Sequence, residues 1–164
     1  MSNNSMLIGT RKGLIVYKKK DGKWHFHSHH FSGISVTIAT KDERTGDWWA
    51  MLEHGHYGCK IHRSSDEGKN WEELTAPKYP ETAMLKEDEQ ATMKYLWSFA
   101  ESGDKRIYIG TVPGGLFHTD DNGKSFHLDE GLWNHPTKTP ETWFGGGMNY
   151  PGIHSVVVDP KDSN

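Results

Sequence analysis

Short stretches of alternating apolar and polar residues, separated by turn residues, run along most of the chain. Leu14 and Val16 lie on one such stretch. Because successive side chains of a strand point to opposite faces, this period of two indicates strands with one buried face. The clearest set predicts four successive strands, named A to D, at 95–100, 106–110, 115–118 and 126–128. Strands this close together in sequence predict an antiparallel meander.

The same order of strands recurs elsewhere in the chain. The preceding set predicts strands A to D at 35–39, 47–52, 60–63 and 71–74, and the first set predicts only B to D, at 6–9, 14–17 and 24–27. Residues 154–158 predict a lone A strand, and Val156, Val157 and Val158 favour burial of both its faces. We therefore expect one partial domain over 1–164, with blade 1 at 6–30, blade 2 at 33–76, blade 3 at 94–130 and the first strand of blade 4 at 153–159.

An acidic turn motif, Ser/Thr-x-Asp-x-Gly-x-x-aromatic, accompanies these strands. One copy is Ser64, Asp66, Gly68 and Trp71, and the other is Thr119, Asp121, Gly123 and Phe126. A degraded third copy contains Asp21, Gly22 and Trp24. The three glycines are spaced by 46 residues (68 − 22) and 55 residues (123 − 68), close to the ~40–50 residue period of propeller blades.

Each residue type in the motif suits a tight turn between two strands. The Asp carboxylate can accept hydrogen bonds from amides of its own turn. Gly68 and Gly123 can adopt the positive φ that closes a hairpin. The aromatic residue then begins the next strand and can pack into the core. A calcium loop is the alternative, but the EF-hand spacing and its closing Glu are missing.

This motif resembles the Asp-box of the BNR-repeat β-propellers, a group that includes sialidases, sortilin-type receptors and other glycosidases. The resemblance implies an all-β fold, a partial β-propeller of about three four-stranded blades. A count of three, four, four and one strands suggests an interrupted ring. We expect either the N-terminal half of a longer protein, a truncated product, or copies that self-associate through open blade edges.

Composition excludes several classes of function. Apolar residues make up 34% of the chain, but seven Trp within 12% aromatic residues can fill a core. A net charge of −3 gives no basic patch for nucleic acid or an anionic membrane. Cys59 is the only cysteine, which excludes an internal disulfide. The lack of a signal-peptide core or a long apolar run favours a cytoplasmic location.

Loops on one face of the predicted blades carry the candidate site. In a meander, the B–C and D–A loops share one end, opposite the acidic turns. This face collects charged, histidine and aromatic residues: Arg11, Lys12, Glu53, His54, His56, Tyr57, Trp97, Trp143, Tyr150 and His154. Structural alternatives remain open, since the histidines at 54 and 56 can shape a turn, His154 can be a core histidine and Trp97 can pack between blades.

Three functions fit this face. The first is a ligand-binding or scaffolding module for a sugar, a peptide or a small acid, in which aromatic rings suit sugar faces and Arg11 suits a carboxylate. The second, implied by the resemblance, is a glycoside hydrolase completed by missing blades. Glu53 is then the candidate catalytic acid, with Glu141 second, although four arginines in the whole chain argue against a sialidase triad. The third is a divalent-metal site of His54, His56 and His154, with no other cofactor expected.

Overall fold

The computed structural model describes residues 4–103, 105–145, 149–159 and 161. These residues form an all-β structure of 13 strands, with one short α-helix and one short 3₁₀ helix. The chain divides into two compact units, Met1–Glu73 and Leu74–Asn164. None of the described helices has the length and apolar character that a membrane crossing requires.

The first unit contains two antiparallel meanders. The three-stranded sheet has the order β1 (Ser5–Thr10), β2 (Gly13–Lys20), β3 (Lys23–His30). The four-stranded sheet has the order β4 (Ser35–Lys41), β5 (Trp48–Glu53), β6 (Cys59–Ser64), β7 (Glu72–Leu74), with a 3₁₀ helix at Gly55–Tyr57 between β5 and β6. Within each sheet, every connection joins neighbouring strands, as the sequence pattern predicts.

The core of the first unit lies between its two sheets. Leu14 and Val16 on β2 pack with Trp48, Ala50 and Leu52 on β5. Each set occupies alternate positions of its strand, which places its members on one face. All five of these side chains are at most 1% exposed. The alternation on β2 therefore corresponds to its inward face, whereas β5 is buried on both faces, since Trp49 and Met51 are also 0% exposed.

The second unit contains one four-stranded meander and one small hairpin. The meander has the order β10 (Tyr95–Ser102), β11 (Arg106–Val112), β12 (Leu116–Thr119), β13 (His127–Leu128), and the hairpin pairs β8 (Met84–Lys86) with β9 (Glu89–Gln90). Helix α1 (Glu130–Trp133) begins where the Asp129 carboxylate accepts the Leu132 N–H at 2.8 Å. A core of Tyr79, Phe117 and Trp133 holds these elements together.

Both complete acidic turns have the same hydrogen bonds. In the first, Ser64 Oγ donates to Asp66 Oδ1 at 2.8 Å and accepts the Gly68 N–H at 2.8 Å. In the second, Thr119 Oγ1 donates to Asp121 Oδ1 at 2.7 Å and accepts the Gly123 N–H at 2.9 Å. The two glycines have φ of +82° and +85°. The aromatic residues that follow, Trp71 and Phe126, pack against the cores of their units.

One predicted strand is wrong. Residues 154–158 form no strand, and no described strand pairs with them. Without a neighbouring strand, the backbone N–H and C=O groups have no ladder to satisfy them. Val157 is 93% exposed, while Val156 and Val158 are half-buried, so the expected burial of both faces is also wrong. His154 is exposed rather than a core residue.

Candidate functional site

The loop between β5 and β6 presents an aromatic side chain to solvent. His54 N–H donates to Gly58 O at 2.9 Å, and Tyr57 N–H donates to His54 O at 3.1 Å. Gly55 and Gly58 take positive φ, of 55° and 73°, which lets the chain turn back within five residues. The Tyr57 side chain is 75% exposed, and its ring lies edge-on to the His54 ring at 5.1 Å. A local turn therefore holds an aromatic residue out of the core.

The connection from β3 to β4 brings a second ring to this end of the first unit. Phe31 has φ of 53°, and Ile34 N–H donates to Phe31 O at 3.0 Å, which closes the turn. The Phe31 ring lies 4.8 Å from the His62 ring and 5.2 Å from the Trp71 ring. The phenyl ring is therefore fixed against β6.

These two connections line a cleft of about 290 Å³, named here the β5–β6 cleft. Its lining combines apolar, aromatic and ionisable residues: Phe31, Ile34, Leu52, His54, Tyr57, Lys60, His62 and Glu73. The D–A and B–C loops of the first unit thus meet at one cleft, as the sequence argument expects. A concave surface that combines apolar and aromatic walls with a few charged and histidine side chains has the composition of a ligand site.

The charged groups of the β5–β6 cleft are partly neutralised. Lys60 Nζ lies 2.6 Å from Glu73 Oε1, and this hydrogen bond lowers the pKa of Glu73. Burial lowers the pKa of His62, which outweighs the opposing effect of Glu73. Burial therefore favours the neutral form of His62. Its Nδ1 is buried and has no hydrogen-bond partner among the described residues.

Other predicted site residues of the first unit lie outside this lining. Arg11 and Lys12 are exposed on the β1–β2 turn, where Thr10 Oγ1 donates to Gly13 O at 2.8 Å. Glu53 and His56 are also exposed and do not line the β5–β6 cleft. Of the predicted site residues, only His54 and Tyr57 line the β5–β6 cleft.

The second unit holds the remaining predicted residues. The Trp97 and His154 rings lie 5.9 Å apart. Tyr150 O–H donates to Glu89 Oε1 at 2.8 Å, and this carboxylate raises the pKa of the phenol. Trp143 is half-buried on a turn. The structure thus brings Trp97 and His154 together. Tyr150 instead contacts Glu89 on β9.

No group of three His, Cys, Asp or Glu side chains that could hold a metal ion occurs within the described part of the chain. His54 and His56 belong to the first unit and His154 to the second. The histidine metal site stays a prediction.

Sequence reasoning missed six residues that line the β5–β6 cleft: Phe31, Ile34, Leu52, Lys60, His62 and Glu73. Lys60 and His62 alternate with the buried Ile61, so the strand pattern places both on the opposite face from that core residue. That alternation is the feature from which they could have been found. Glu73 reaches the cleft through its cross-strand ion pair with Lys60. The sequence alone does not define that pair.

Comparison with known proteins shows the fold. No family model matches the chain, and no curated protein matches it. Among solved structures, "YCF48 bound to D1 peptide" is similar, with a TM-score of 0.51 at 14% sequence identity. The match covers 77% of this chain and 36% of that chain, so the present chain matches about a third of the length of YCF48. The likeness shows a β-propeller fold, while membership of the Asp-box family stays a prediction.

Proposed function

We propose that the chain is a ligand-binding β-propeller module whose β5–β6 cleft binds an extended peptide. The observation that carries the proposal is the exposed Tyr57 ring, which contacts the His54 ring at the edge of the β5–β6 cleft. A solved structure with a similar fold is that of a protein bound to a peptide, which supports a peptide as the first class of ligand to test.

An exposed tyrosine on a constrained turn suits recognition better than core packing. Tyrosine is enriched among residues that dominate binding energy, because it buries a large area at a low cost in side-chain entropy. The turn formed by Gly55 and Gly58 holds this ring before a ligand arrives. Such preorganisation reduces the entropy that binding would otherwise cost.

The remaining lining fits the two kinds of group that a peptide offers. Phe31 and Leu52 supply apolar surface for a side chain. Lys60 and Glu73 supply hydrogen-bonding groups for the peptide backbone.

A peptide-display selection against the whole chain tests the proposal. Peptides selected on the wild type are measured by calorimetry against the wild type and Tyr57→Ala. We expect affinity to fall about tenfold or more in Tyr57→Ala, as for a dominant interface residue. Unfolding free energy should change by less than about 0.5 kcal/mol, because the side chain is on the surface.

Phe144→Ala is the matched control, since Phe144 is also an exposed ring, at 69%, and does not line the β5–β6 cleft. It should retain wild-type affinity. Selection of no peptide, or equal loss of affinity in both variants, would contradict the proposal.

A further inference from the structure

A second cleft, of about 380 Å³, lies within the second unit. One side is formed by the β8 strand and the residue after it, and the other by the last residue of α1 and the segment that follows it. The lining residues are Met84, Leu85, Lys86, Glu87, Trp133, Asn134, His135 and Lys138. We name it the Lys138 cleft. Neither its residues nor its chemistry belong to the β5–β6 cleft.

Lys138 is held in this cleft by an aromatic ring. Its Nζ lies 3.1 Å from the centroid of the Trp133 ring. Trp133 is only 4% exposed and packs against Tyr79, with ring centroids 5.1 Å apart. A cation above a fixed indole face is stabilised by the ring quadrupole, so the ammonium position is set by the core of the unit rather than by solvent.

Among the described residues, the Lys138 ammonium has no anionic partner. No carboxylate of the described residues forms an ion pair with it, and burial lowers its pKa. Partly buried charges are usually paired. The other lysine of the cleft, Lys86, lies 3.7 Å from Glu89 Oε2, which leaves Lys138 as the positive charge without compensation.

His135 supplies a ring N–H donor beside this charge. The Thr137 backbone N–H donates to His135 Nδ1 at 3.3 Å, and the Thr137 hydroxyl lies 2.8 Å from the same nitrogen. Because Nδ1 accepts the amide hydrogen bond, the neutral ring carries its hydrogen on Nε2. The neighbouring Asn134 lines the cleft as well, and its side-chain amide adds further N–H donors.

We propose that the Lys138 cleft binds a carboxylate group, with the Lys138 ammonium as its counter-ion, His135 Nε2–H as a second donor and Met84, Leu85 and Trp133 against the apolar part of the ligand. One uncompensated positive charge matches one carboxylate, whereas a phosphate would bring more negative charge to a cleft that Glu87 also lines. The carboxylate belongs either to an acidic side chain of a peptide or to a free small acid.

Nuclear magnetic resonance titrations of the whole chain test this proposal with three probes. The probes are propionate, a blocked peptide with a single Glu, and the same peptide with Gln in its place. We expect propionate and the Glu peptide to shift the Trp133 indole and the backbone amides of His135 and Lys138, and the Gln peptide to shift none of them. Tighter binding of the Glu peptide identifies a peptide source, and equal or tighter binding of propionate identifies a free acid.

Variants of the lysine separate charge from structure. Lys138→Gln should weaken binding of the Glu peptide about tenfold, the effect of one charge-assisted hydrogen bond. Lys138→Arg, which keeps the charge, should bind more tightly than Lys138→Gln. Lys124→Gln removes an exposed lysine outside the cleft and should leave affinity unchanged.

Three results would overturn the proposal: no shift with either carboxylate probe, equal shifts with the Glu and Gln peptides, or unchanged affinity in Lys138→Gln. The comparison of the Glu and Gln peptides uses only the wild type, so it decides the question even where the variant fails to fold.

Discussion

Asn70 donates two hydrogen bonds to the Asp66 carboxylate, one from its backbone N–H to Oδ1 at 2.9 Å and one from its side-chain amide to Oδ2 at 2.7 Å. Ser125 makes the same pair of contacts with Asp121, at 2.9 Å and 2.7 Å. Two turns that are 55 residues apart (121 − 66) are thus closed by a charged carboxylate. In both turns the carboxylate accepts hydrogen bonds from residues of its own turn, so it stabilises the connection between two strands rather than forming a ligand site.

The Asp66 turn should make the free energy of unfolding depend on pH. Hydrogen bonds from the Asn70 backbone and side chain, followed by the Ser64 hydroxyl, lower the pKa of Asp66 to about 2. A carboxyl with a depressed pKa stabilises the fold above its unfolded pKa of about 3.9, and this contribution is lost as pH falls towards the folded value. Asp66→Asn should therefore be less stable than wild type at pH 7, with a gap that narrows below about pH 4.

Urea unfolding, followed by tryptophan fluorescence between neutral and acidic pH, measures the difference in unfolding free energy between wild type and Asp66→Asn. Asp88→Asn, at an exposed carboxylate in the β8–β9 turn, is the control and should show a smaller gap at neutral pH. A difference between wild type and Asp66→Asn that stays constant down to the lowest pH would contradict the electrostatic account of the turn.

Gly68 and Gly22 occupy equivalent turn positions but differ in their surroundings. Their φ values are +82° and +78°, so alanine at either position costs about 1–2 kcal/mol of backbone strain. A Cβ at Gly68 would also lie 3.0 Å from the buried Trp48 ring, whereas a Cβ at Gly22 would meet nothing within 4 Å. Gly68→Ala should lose at least about 1 kcal/mol more than Gly22→Ala, from overpacking against that ring. Equal losses in chemical denaturation would show that Trp48 moves aside.

Strand β3 should promote association between copies of the chain. It pairs with β2 alone among the described strands, and it exposes 40% of Trp24 and 62% of Phe26. An edge strand with exposed aromatic residues is a surface for intermolecular pairing. Light scattering should show concentration-dependent oligomers that Phe26→Lys reduces and Phe144→Lys does not. A monodisperse monomer of the wild type would contradict this expectation.

Glycoside hydrolysis should be absent. Glycosidases need two carboxyl groups about 5–10 Å apart. Glu53 is exposed and lies outside the β5–β6 cleft, and Glu73 inside it is tied to Lys60. A panel of chromogenic glycosides that includes a sialoside should give no turnover. Turnover that Glu53→Gln abolishes would establish an enzyme instead of a binding module.

The strand pattern predicted most of the fold because each meander depends on local alternation. The predicted strands of the three meanders are confirmed to within a few residues at their ends. Residues 154–158 have an equally good strand pattern, but pattern alone cannot supply a pairing partner. Hairpin β8–β9 and helix α1 were not predicted, since both are shorter than the window over which periodicity can be recognised.

The candidate site was predicted less completely, because several of its contacts depend on packing between strands rather than on local sequence pattern. Loop order along a meander correctly placed His54 and Tyr57 near the β3–β4 connection. It could not show that the Phe31 ring turns onto His62, or that Lys60 pairs with Glu73, because those contacts depend on side-chain packing between strands. Lys138 above Trp133 was missed because that aromatic ring is buried in the core of its unit.

Isotope-filtered nuclear Overhauser measurements, made on the labelled chain with an unlabelled display-selected peptide, test peptide binding in the β5–β6 cleft most directly. We predict contacts from peptide protons to the rings of Tyr57, His54 and Phe31. Peptide contacts confined to residues outside this cleft, with the Tyr57 ring unaffected, would contradict the account.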